Sequence, residues 1–401
     1  MGKVIIIGGG AAGLACAVTA SRLGDDVTVL ERMDRVGKKI LATGNGRCNL
    51  MNLHAPVYPG GEAFARQVLH AMPAEKQIRF WHSLGLFLRE EADGRVYPVT
   101  GQASTVLDAL RFGFHGETVT GQEVIRLLPG KKWQVQTGDR VFTADRVVVA
   151  GGGCAQPALG SNGSCVRLLK NLGYGASVLL PALTQLTTDK DVIRGLEGIR
   201  IRCLVRVMEG EREIHRERGE VLFTAYGLSG VCIMQCARYA DAPGRSISLH
   251  LYDALSMSEE NMRAHLKGRQ VQLGEAPAER LLTGFLLPRL AQAVVRYAIP
   301  ECKSVADVKD KELVRLVRAL GDFRIGIRGI KGFDSAQVTR GGVDPTPFDP
   351  STMASSQHHG LHAAGEVLDV DGDCGGYNLM FAFASGILAG KNGRKASWEE
   401  E

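Results

Sequence analysis

Residues 4–31, VIIIGGGAAGLACAVTASRLGDDVTVLE, decide the fold of this chain. The apolar run Val4-Ile5-Ile6-Ile7 predicts a buried strand, residues 14–23 have the pattern of an alanine-rich amphipathic helix, and Val27-Thr28-Val29-Leu30 predicts a second strand that ends on Glu31. Between the first strand and the helix, glycines complete a Gly-x-Gly-x-x-Gly pattern. This order of elements indicates a site for a dinucleotide: a strand, a glycine-rich turn, a helix, a second strand and an acid at its end.

Each glycine of this turn has a separate predicted role. Gly8 permits the tight turn, Gly10 lets the backbone approach a pyrophosphate, and Gly13 lets the helix pack closely on the strand. The helix N-terminus offers unpaired N–H groups to the phosphates, and Glu31 is placed to accept hydrogen bonds from a ribose hydroxyl. The alternative is an ordinary glycine-rich turn between two strands. The predicted contacts here are Gly8, Gly10, Ala11, Ala12, Gly13 and Glu31.

The composition is that of a soluble globular protein. The 401 residues suffice for two domains, 45% are hydrophobic and 23% are charged. The formal charge of +5 is small because 48 basic residues face 43 acidic ones, and no basic run of the kind that binds nucleic acid occurs. No stretch reaches the length of a membrane span. We therefore expect neither a nucleic acid nor a membrane as partner.

The cysteines indicate the compartment. There are nine of them, an odd number, and no Cys-x-x-Cys pair. No secretory signal is recognisable at the start of the sequence. Reduced thiols in the cytoplasm are the expectation, without a metal site.

A polar, glycine-rich segment follows the second strand and is predicted to be a loop that returns across the dinucleotide. Its cations would meet phosphates and its glycines would allow close backbone approach. A solvated basic loop is the alternative. The predicted cofactor-binding residues of this segment are Arg32, Lys38, Lys39, Thr43, Asn45, Gly46, Arg47 and Asn49.

Two later strand ends are also predicted to reach the cofactor. The strand Arg146-Val147-Val148-Val149 ends at Ala150 and Gly151, but Pro157 and polar residues delay the next helix, so no second nucleotide fingerprint forms there. Near the C-terminus a strand ends at Gly365 and Glu366, and two glycines then lead into an apolar helix over residues 379–388. If the cofactor is a flavin, the dipole of this helix would stabilise negative charge at the N1–C2 carbonyl edge of the reduced ring. The residues predicted at this helix N-terminus are Gly376, Tyr377, Asn378 and Leu379.

Taken together, several stretches resemble the BaiN/YhiN-type FAD-dependent oxidoreductases, an aminoacetone-oxidase-like group. The matching pieces run from end to end of the chain. They are GGGAAG at residues 8–13, GKKILATGNGRCN at 37–49, DGRVYP at 93–98, QASTVL at 102–107, GEVLFT at 219–224, GGV at 341–343, AGEVLDVDG at 364–372 and GGYNL at 375–379. The resemblance implies FAD laid across the first domain, with Val124 holding the adenine through its backbone.

The predicted fold class is α/β, with a Rossmann-like FAD-binding domain of the glutathione-reductase type and an inserted β-rich substrate domain that carries a helical subdomain. The composition changes near Pro181. The predicted boundaries are residues 1–178 and 339–392 for the FAD-binding domain, 179–338 for the insert, about 256–320 for its helical part, and 393–401 for a polar tail. The resemblance implies that the insert covers the flavin ring and chooses the substrate.

The resemblance also implies an activity. A hydride would pass from NADH or NADPH to flavin N5 and on to a small organic acceptor, such as the enone of a 3-oxo-Δ4 or Δ6 steroid or bile-acid intermediate. Tyr226 and Tyr377 are candidate proton donors, and Cys48 is expected near the flavin, without a partner for a disulfide relay. For each of the three, a packing role is the alternative.

Other functions stay open at this point. One is a flavin-dependent amine or aminoketone oxidase that uses O2. Others are a tRNA-modifying or RNA-binding flavoprotein and a non-catalytic flavoprotein. The sequence predicts no oligomeric state.

Overall fold

The computed structural model describes residues 2–399. These residues form two compact units. Unit 1 comprises residues up to Pro181 and from Gln337 on, and unit 2 is Ala182–Ala336.

The strands are short in unit 1 and longer in unit 2. They are β1 Lys3–Ile7, β2 Asp26–Leu30, β3 Met51–Asn52, β4 Leu88–Glu90, β5 Arg95–Pro98, β6 Glu117–Val119, β7 Val124–Leu128, β8 Trp133–Thr137, β9 Val141–Ala144, β10 Arg146–Val149, β11 Leu180–Ala182, β12 Leu186–Thr188, β13 Arg200–Glu209, β14 Arg212–Thr224, β15 Gly227–Ser229, β16 Arg245–His250, β17 Phe323–Ile330, β18 Val338–Arg340 and β19 Leu361–Ala363.

The helices connect these strands or follow them. They are α1 Ala11–Arg22, α2 Lys38–Ala42, α3 Glu62–Ala71, α4 Ala74–Ser83, α5 Ala103–Gly113, α6 Ser164–Asn171, α7 Lys190–Ile193, α8 Val231–Ala240, α9 Glu259–Leu273, α10 Pro288–Ala298, α11 Asp310–Gly321 and α12 Tyr377–Lys391.

The core of unit 1 is a five-stranded parallel sheet in the order β19-β10-β1-β2-β6. Its central strand β1 pairs on both sides, with Ile5 opposite Val147 and Thr28. The β-branched run of β1 is buried because a parallel strand between two neighbours is covered on both faces by other elements. The carboxyl ends of β1, β2, β10 and β19 therefore meet at one edge, where ligands of such sheets bind.

Helices α1 and α12 pack against each other through small residues. A Cβ on Gly386 would lie 2.2 Å from the carbonyl oxygen of Ala12, and one on Gly390 would lie 2.7 Å from that of Cys16. The alanines of α1 and the glycines of α12 thus let the two backbones come close. This contact joins the first half of α1 to the second half of α12.

Unit 1 also contains two three-stranded antiparallel sheets, and β11 pairs with β18 in a two-stranded sheet. The meander β7-β8-β9 and the sheet β3-β5-β4 each have three strands. The segment 37–49, predicted to be a loop, instead contains α2, with Ile40 buried, and a 3-10 turn at Thr43–Gly46. Gly37 is the residue before α2 and has a φ of +74°. This left-handed conformation, which glycine adopts without strain, turns the chain into the helix.

The C-terminal segment is folded onto unit 1 as far as it is described. Trp398 is buried and packs edge-on against Phe80, with ring centroids 5.6 Å apart. Arg394 donates to Asp25 at 2.5 Å, and Asp25 also accepts from the buried Arg146 at 2.8 Å. The segment predicted to be a polar tail is thus packed up to Glu399, and its last two residues lie outside the described part.

Unit 2 contains a closed β-barrel, β12-β15-β14-β13-β16-β17. The barrel closes because β12 pairs with β17, with Leu186 opposite Ile330. Helix α8 packs against β14, and helices α9, α10 and α11 bury residues such as Leu266 and Leu313 in the same core. A closed barrel has no free sheet edge.

Three further findings concern the described residues as a whole. No helix among them is long and apolar enough to cross a membrane. The nine cysteines are unpaired. Between residues 2 and 399, no three or more His, Cys, Asp or Glu side chains cluster as metal ligands would.

Candidate functional site

The first glycine-rich turn lies between β1 and the N-terminus of α1. Gly8 has a φ of +104°, and a Cβ there would lie 2.7 Å from the carbonyl oxygen of Ala150. A Cβ on Gly13 would lie 1.8 Å from the carbonyl oxygen of Gly8, so α1 can approach the turn only without a side chain at this position. At Gly10, in contrast, a Cβ would meet no described atom within 4 Å. The turn thus presents bare backbone to open space at Gly10.

The N-terminus of α1 is uncapped. Its first helical hydrogen bond runs from the Leu14 N–H to the Gly10 carbonyl oxygen at 2.9 Å, and no side chain caps the helix. The N–H groups of Ala11, Ala12 and Gly13 therefore have no partner within the helix. Together with the partial positive charge of the helix end, they form a site for a phosphate.

Glu31 lies at the end of β2 and is buried. Its Oε2 accepts from the Gly9 N–H at 2.7 Å, and its Oε1 accepts from the Met33 N–H at 2.8 Å. The two backbone bonds fix the carboxylate beside the turn, and each oxygen keeps acceptor capacity for a hydroxyl group. Binding of a ribose by Glu31 stays a prediction.

Two cations that were predicted at the phosphates have carboxylate partners. Lys38 Nζ lies 2.5 Å from Asp34 Oδ1. Arg47 donates to Glu91 at 2.5 Å, and its guanidinium lies 4.1 Å from the centroid of the Tyr97 ring. The structure thus uses Arg47 to join its loop to the β3-β5-β4 sheet region.

Lys39 and Glu366 are brought together although 327 positions separate them. Lys39 Nζ donates to Glu366 Oε2 at 2.7 Å, and both side chains are about three-quarters buried. Glu366 Oε1 accepts from the Thr339 N–H at 2.6 Å. Arg32, also predicted at the cofactor, donates to the Gly160 carbonyl oxygen at 3.1 Å.

The turn after α2 holds its residues by local bonds. Thr43 Oγ1 donates to the Ile40 carbonyl oxygen at 2.7 Å, while Asn45 and Gly46 have positive φ values of 55° and 81°. Cys48 also has a positive φ of 58°, and it is completely buried. Burial raises the pKa of the Cys48 thiol to about 12. A thiol held in the protonated form so firmly is a poor nucleophile and a poor acid, which counts against the predicted catalytic role of Cys48.

The N-terminus of α12 also lacks a side-chain cap. Gly376 precedes it with a φ of +108°, no side chain caps it, and Leu379 follows in its first turn. Tyr377 is buried, and its carbonyl oxygen accepts from the Tyr58 hydroxyl at 2.7 Å. Burial, with a contribution from Asp373, raises the pKa of Tyr377. Its phenol is therefore protonated at neutral pH.

Two asparagines near this helix end donate hydrogen bonds to the loop that precedes it. Asn378 accepts from the Gly372 N–H at 2.8 Å and donates to the Gly372 carbonyl oxygen at 2.7 Å. Asn52 donates to the Gly375 carbonyl oxygen at 3.0 Å. These two side chains shape the loop, and a contact of Asn378 with the cofactor stays a prediction.

Asn49 differs from both. Its side chain is nine-tenths buried, and its Oδ1 has no hydrogen-bond partner. A Cβ on Gly376 would lie 2.9 Å from this oxygen and 2.6 Å from the Met51 carbonyl oxygen. An unpaired acceptor therefore lies directly beside the start of α12.

The ends of β10 and β19 pack closely behind the first turn. Ala150 is buried, and a Cβ on Gly151 would lie 2.2 Å from Cys165 Sγ. Gly365 has a φ of +75°, and its N–H donates to Ser385 Oγ at 3.0 Å. These contacts hold both strand ends at the edge of the sheet where the turn of α1 lies.

Val124 begins β7 opposite Thr137 and is buried. A cavity of about 390 Å³ lies beside it, lined also by Arg167 and Lys170 of α6. The contact of Val124 with an adenine stays a prediction.

Tyr226 belongs to unit 2, in the turn between β14 and β15, where it is half-buried. Its carbonyl oxygen accepts from the Thr188 N–H at 3.2 Å. Lys331 Nζ lies 4.4 Å from the centroid of its ring, a cation–π contact. The remaining predicted catalytic residues, Cys48 and Tyr377, lie in unit 1.

Sequence reasoning missed several residues that hold the site together. Thr339 Oγ1 accepts from the N–H groups of Cys154 and Ala155 at 2.7 and 2.9 Å, and so fixes the segment after β10. Ser385 and Asn52 hold Gly365 and the loop before α12. Of these residues, only Asn52 lies close in sequence to a predicted site segment, three residues after the Arg-Cys-Asn motif at 47–49.

The residues present fit FAD. The uncapped α1 and the space above Gly10 suit a pyrophosphate, and the acid at the end of β2 suits a ribose. The N-terminus of α12, which lacks a side-chain cap, suits a ring that carries a carbonyl group.

A parallel sheet with this glycine-rich turn and an acid at the end of β2 defines a Rossmann-like protein of the dinucleotide-binding class. The chain belongs to the family described as HI0933-like protein Rossmann domain, whose model matches residues 2–392. This result confirms four predictions made from the sequence: the family, the α/β fold with a Rossmann-like domain, FAD as cofactor and the oxidoreductase class.

Relatives with a named activity match the chain along almost its whole length. A 3-dehydro-bile acid delta(4,6)-reductase from Clostridium scindens is 36% identical over 408 residues, which cover 98% of each chain. A ribosomal RNA dihydrouridine synthase from Haemophilus influenzae is 27% identical and covers 95% of this chain and 96% of its own. Its counterpart from Escherichia coli is also 27% identical, with 95% of each covered.

Solved structures match as well. A 3-ketosteroid delta1-dehydrogenase from Sterolibacterium denitrificans, in complex with 1,4-androstadiene-3,17-dione, is 13% identical with a TM-score of 0.49. The match covers 97% of this chain and 98% of that one.

Proposed function

We propose that the chain reduces a carbon–carbon double bond conjugated to a carbonyl group in a 3-oxo steroid or bile-acid-like molecule, with NADH or NADPH as reductant. The observation that carries this proposal is the 36% identity, over 98% of both chains, with a reductase that acts on such a molecule. The nine unpaired cysteines favour a reducing compartment, the cytoplasm, as the location.

FAD, when bound, supplies the hydride chemistry of this reaction. The residues of unit 1 bind and orient it. The uncapped N–H groups at the start of α1 hold the pyrophosphate, and Glu31, fixed by Gly9 and Met33, holds the ribose. The N-terminus of α12 would stabilise negative charge on the reduced flavin ring.

Reduction of an enone also needs a proton and a hydrogen-bond donor for the carbonyl oxygen. Tyr226 and Tyr377 are the candidates. The raised pKa of Tyr377 keeps its hydroxyl protonated. Tyr226 is half-buried in its own unit, and the Lys331 ammonium group lies over its ring, 4.4 Å from the ring centroid.

The first experiment records the visible spectrum of the purified protein without oxygen, before and after NADH or NADPH is added. A flavin spectrum that bleaches with one of them, followed by reoxidation with a 3-oxo-Δ4 or Δ4,6 steroid, supports the proposal. Tyr226→Phe and Tyr377→Phe are then compared with Tyr297→Phe, a change on the exposed surface of α10. We expect kcat to fall by about 10²-fold or more for the residue that donates the proton and to stay unchanged for Tyr297→Phe. A bleached protein that no steroid enone reoxidises refutes the substrate.

A second candidate function is the reduction of uridine in ribosomal RNA. The two dihydrouridine synthases that match over 95% of this chain favour it. Its chemistry is similar, because the C5=C6 bond of uracil is also conjugated to a carbonyl group. Dihydrouridine formed in unmodified ribosomal RNA, with no steroid turnover, supports this alternative. Oxygen consumption with an amine and no nicotinamide supports an amine oxidase instead.

A further inference from the structure

Lys331 is a half-buried cation of unit 2 that directly follows β17. Its backbone is fixed on both sides: its N–H donates to the Gln185 carbonyl oxygen at 2.8 Å, and Thr184 Oγ1 donates to its carbonyl oxygen at 3.1 Å. Its ammonium group lies 4.4 Å from the centroid of the Tyr226 ring. Among the described residues, no carboxylate pairs with this ammonium group and no side chain accepts from it. The three N–H donors of Lys331 Nζ are therefore available to a ligand.

The hydroxyl group of Tyr226 is a second available donor at the same place. The backbone of Tyr226 is held by the Thr188 N–H, which donates to its carbonyl oxygen at 3.2 Å, and the turn around it is closed by Thr224 Oγ1, which donates to the Gly227 carbonyl oxygen at 3.0 Å. In the described part of the chain the Tyr226 hydroxyl group has no hydrogen-bond partner, and it is open to solvent. The two side chains thus present one ammonium group and one hydroxyl group side by side.

The surrounding charges indicate what kind of ligand suits this pair. Arg328, another cation of this end of β17, already pairs with Asp189, since 2.7 Å separates Arg328 Nε from Asp189 Oδ1. Lys331 therefore offers one positive charge that no described carboxylate compensates. An aromatic ring attracts a cation but does not neutralise it, and a partly desolvated charge is stabilised by an opposite charge. A carboxylate, with a single negative charge and two acceptor oxygens, complements one ammonium group and one hydroxyl group.

We propose that Lys331 and Tyr226 bind a carboxylate group of the substrate, so that unit 2 selects a 3-oxo steroid acid over a neutral 3-oxo steroid. The ammonium group compensates the charge, and the Tyr226 hydroxyl group donates to the second oxygen. The inference rests on the proposed function, the reduction of a steroid enone, and narrows the class of substrate within it. Tyr226 is then a residue of recognition, which leaves Tyr377 as the candidate proton donor.

The test measures the preference for the acid, defined as kcat/KM for a 3-oxo-Δ4 bile acid divided by kcat/KM for its methyl ester. Both molecules carry the same enone, so a change in the chemical step acts on both and cancels in the ratio. The full chain with FAD bound is assayed at neutral pH, where the acid is ionised. We expect the native chain to prefer the acid at least about tenfold, mainly through a lower KM, because a hydrogen bond to a charged group contributes about that much.

Variants of the two side chains separate charge from contact. Lys331→Met removes the charge but keeps a long side chain over the Tyr226 ring, so its preference should fall to within about twofold. Lys331→Arg keeps the charge and should retain a preference of at least about fivefold. Tyr226→Phe keeps the ring and removes one donor, so its preference should fall by about threefold. Lys303→Met is the matched control, because Lys303 is an exposed lysine of the same unit, and its ratio should stay native.

A native chain that reduces the acid and the ester equally well overturns the inference and leaves the proposed function intact. A Lys331→Met variant that keeps the full preference does the same. A native chain that reduces neither steroid refutes the proposed function, and the inference with it. If Lys331→Met does not fold, the native ratio and the ratio of Tyr226→Phe decide.

Discussion

Replacing Gly10 by alanine should separate folding from cofactor binding. Gly10 has φ and ψ of −88° and −164°, values that alanine also adopts, and the added methyl group meets no described atom within 4 Å. Alanine is a poorer N-cap than glycine, which costs a few tenths of a kcal/mol to about 1 kcal/mol. It also lowers the entropy of the unfolded chain, which gains about 0.4–1 kcal/mol. The two effects nearly cancel, so we expect the free energy of unfolding to change by less than about 0.5 kcal/mol.

FAD binding should respond differently. The methyl group of Gly10→Ala projects into the space where the pyrophosphate approaches the N–H groups of α1. Lengthening one or two hydrogen bonds to a charged phosphate costs about 1.5–3 kcal/mol, which is a tenfold to hundredfold weaker Kd. Urea denaturation of the flavin-free protein and titration with FAD measure the two quantities.

Gly13→Ala is the matched control. Its Cβ would lie 1.8 Å from the Gly8 carbonyl oxygen, so the turn or α1 must shift. Overpacking of this kind costs about 1–3 kcal/mol of stability. If Gly10→Ala is destabilised as much as Gly13→Ala, or if it binds FAD as the native chain does, the assignment of Gly10 to the phosphate is wrong.

Three other perturbations follow from burial and charge. Since the pKa of the Cys48 thiol is raised to about 12, Cys48 should resist iodoacetamide at pH 8 in the native protein and react once urea unfolds the chain. Mass spectrometry that finds the Cys48 peptide alkylated in the native protein would contradict this. Burial lowers the pKa of His362 to about 4 against about 6.5 in the unfolded chain, so between these values only the unfolded chain takes up the proton. Stability should fall with decreasing pH by up to about 1.4 kcal/mol per pH unit, and less so in His362→Gln, whereas an equal fall in both proteins would refute this cause. Asp25→Asn leaves Arg146 and Arg394 without their carboxylate and should cost about 3–5 kcal/mol in urea denaturation; a loss below about 1 kcal/mol would mean that the network is not stabilising.

Much of the parallel sheet and its helices follows from local patterns. The run Val4-Ile5-Ile6-Ile7 became the centre of β1, and the strand and apolar helix predicted at Val27 and Leu379 lie within β2 and α12. Periodicity and glycine position suffice for such elements, because the residues that decide them are neighbours in sequence.

The site was less predictable where its contacts are long-range. Lys39 was predicted at a phosphate, yet it binds Glu366, and no local pattern links the two residues. Arg47 similarly pairs with Glu91. The free oxygen of Asn49 depends on which neighbours its side chain lacks, a property that only the folded chain defines.

The pairing that closes the barrel of unit 2 also joins the two ends of the insert. Leu186 lies opposite Ile330, and Thr184 Oγ1 donates to the Lys331 carbonyl oxygen at 3.1 Å, so the chain enters and leaves unit 2 at neighbouring positions. Seen from unit 1, the residues of unit 2 are a long loop whose two ends are held together by the barrel. Folding of the barrel therefore covers the entropy cost of closing this loop, and folding of unit 1 does not bear it. The barrel is in this sense an exchangeable domain, because another domain with adjacent termini could join unit 1 at the same two positions.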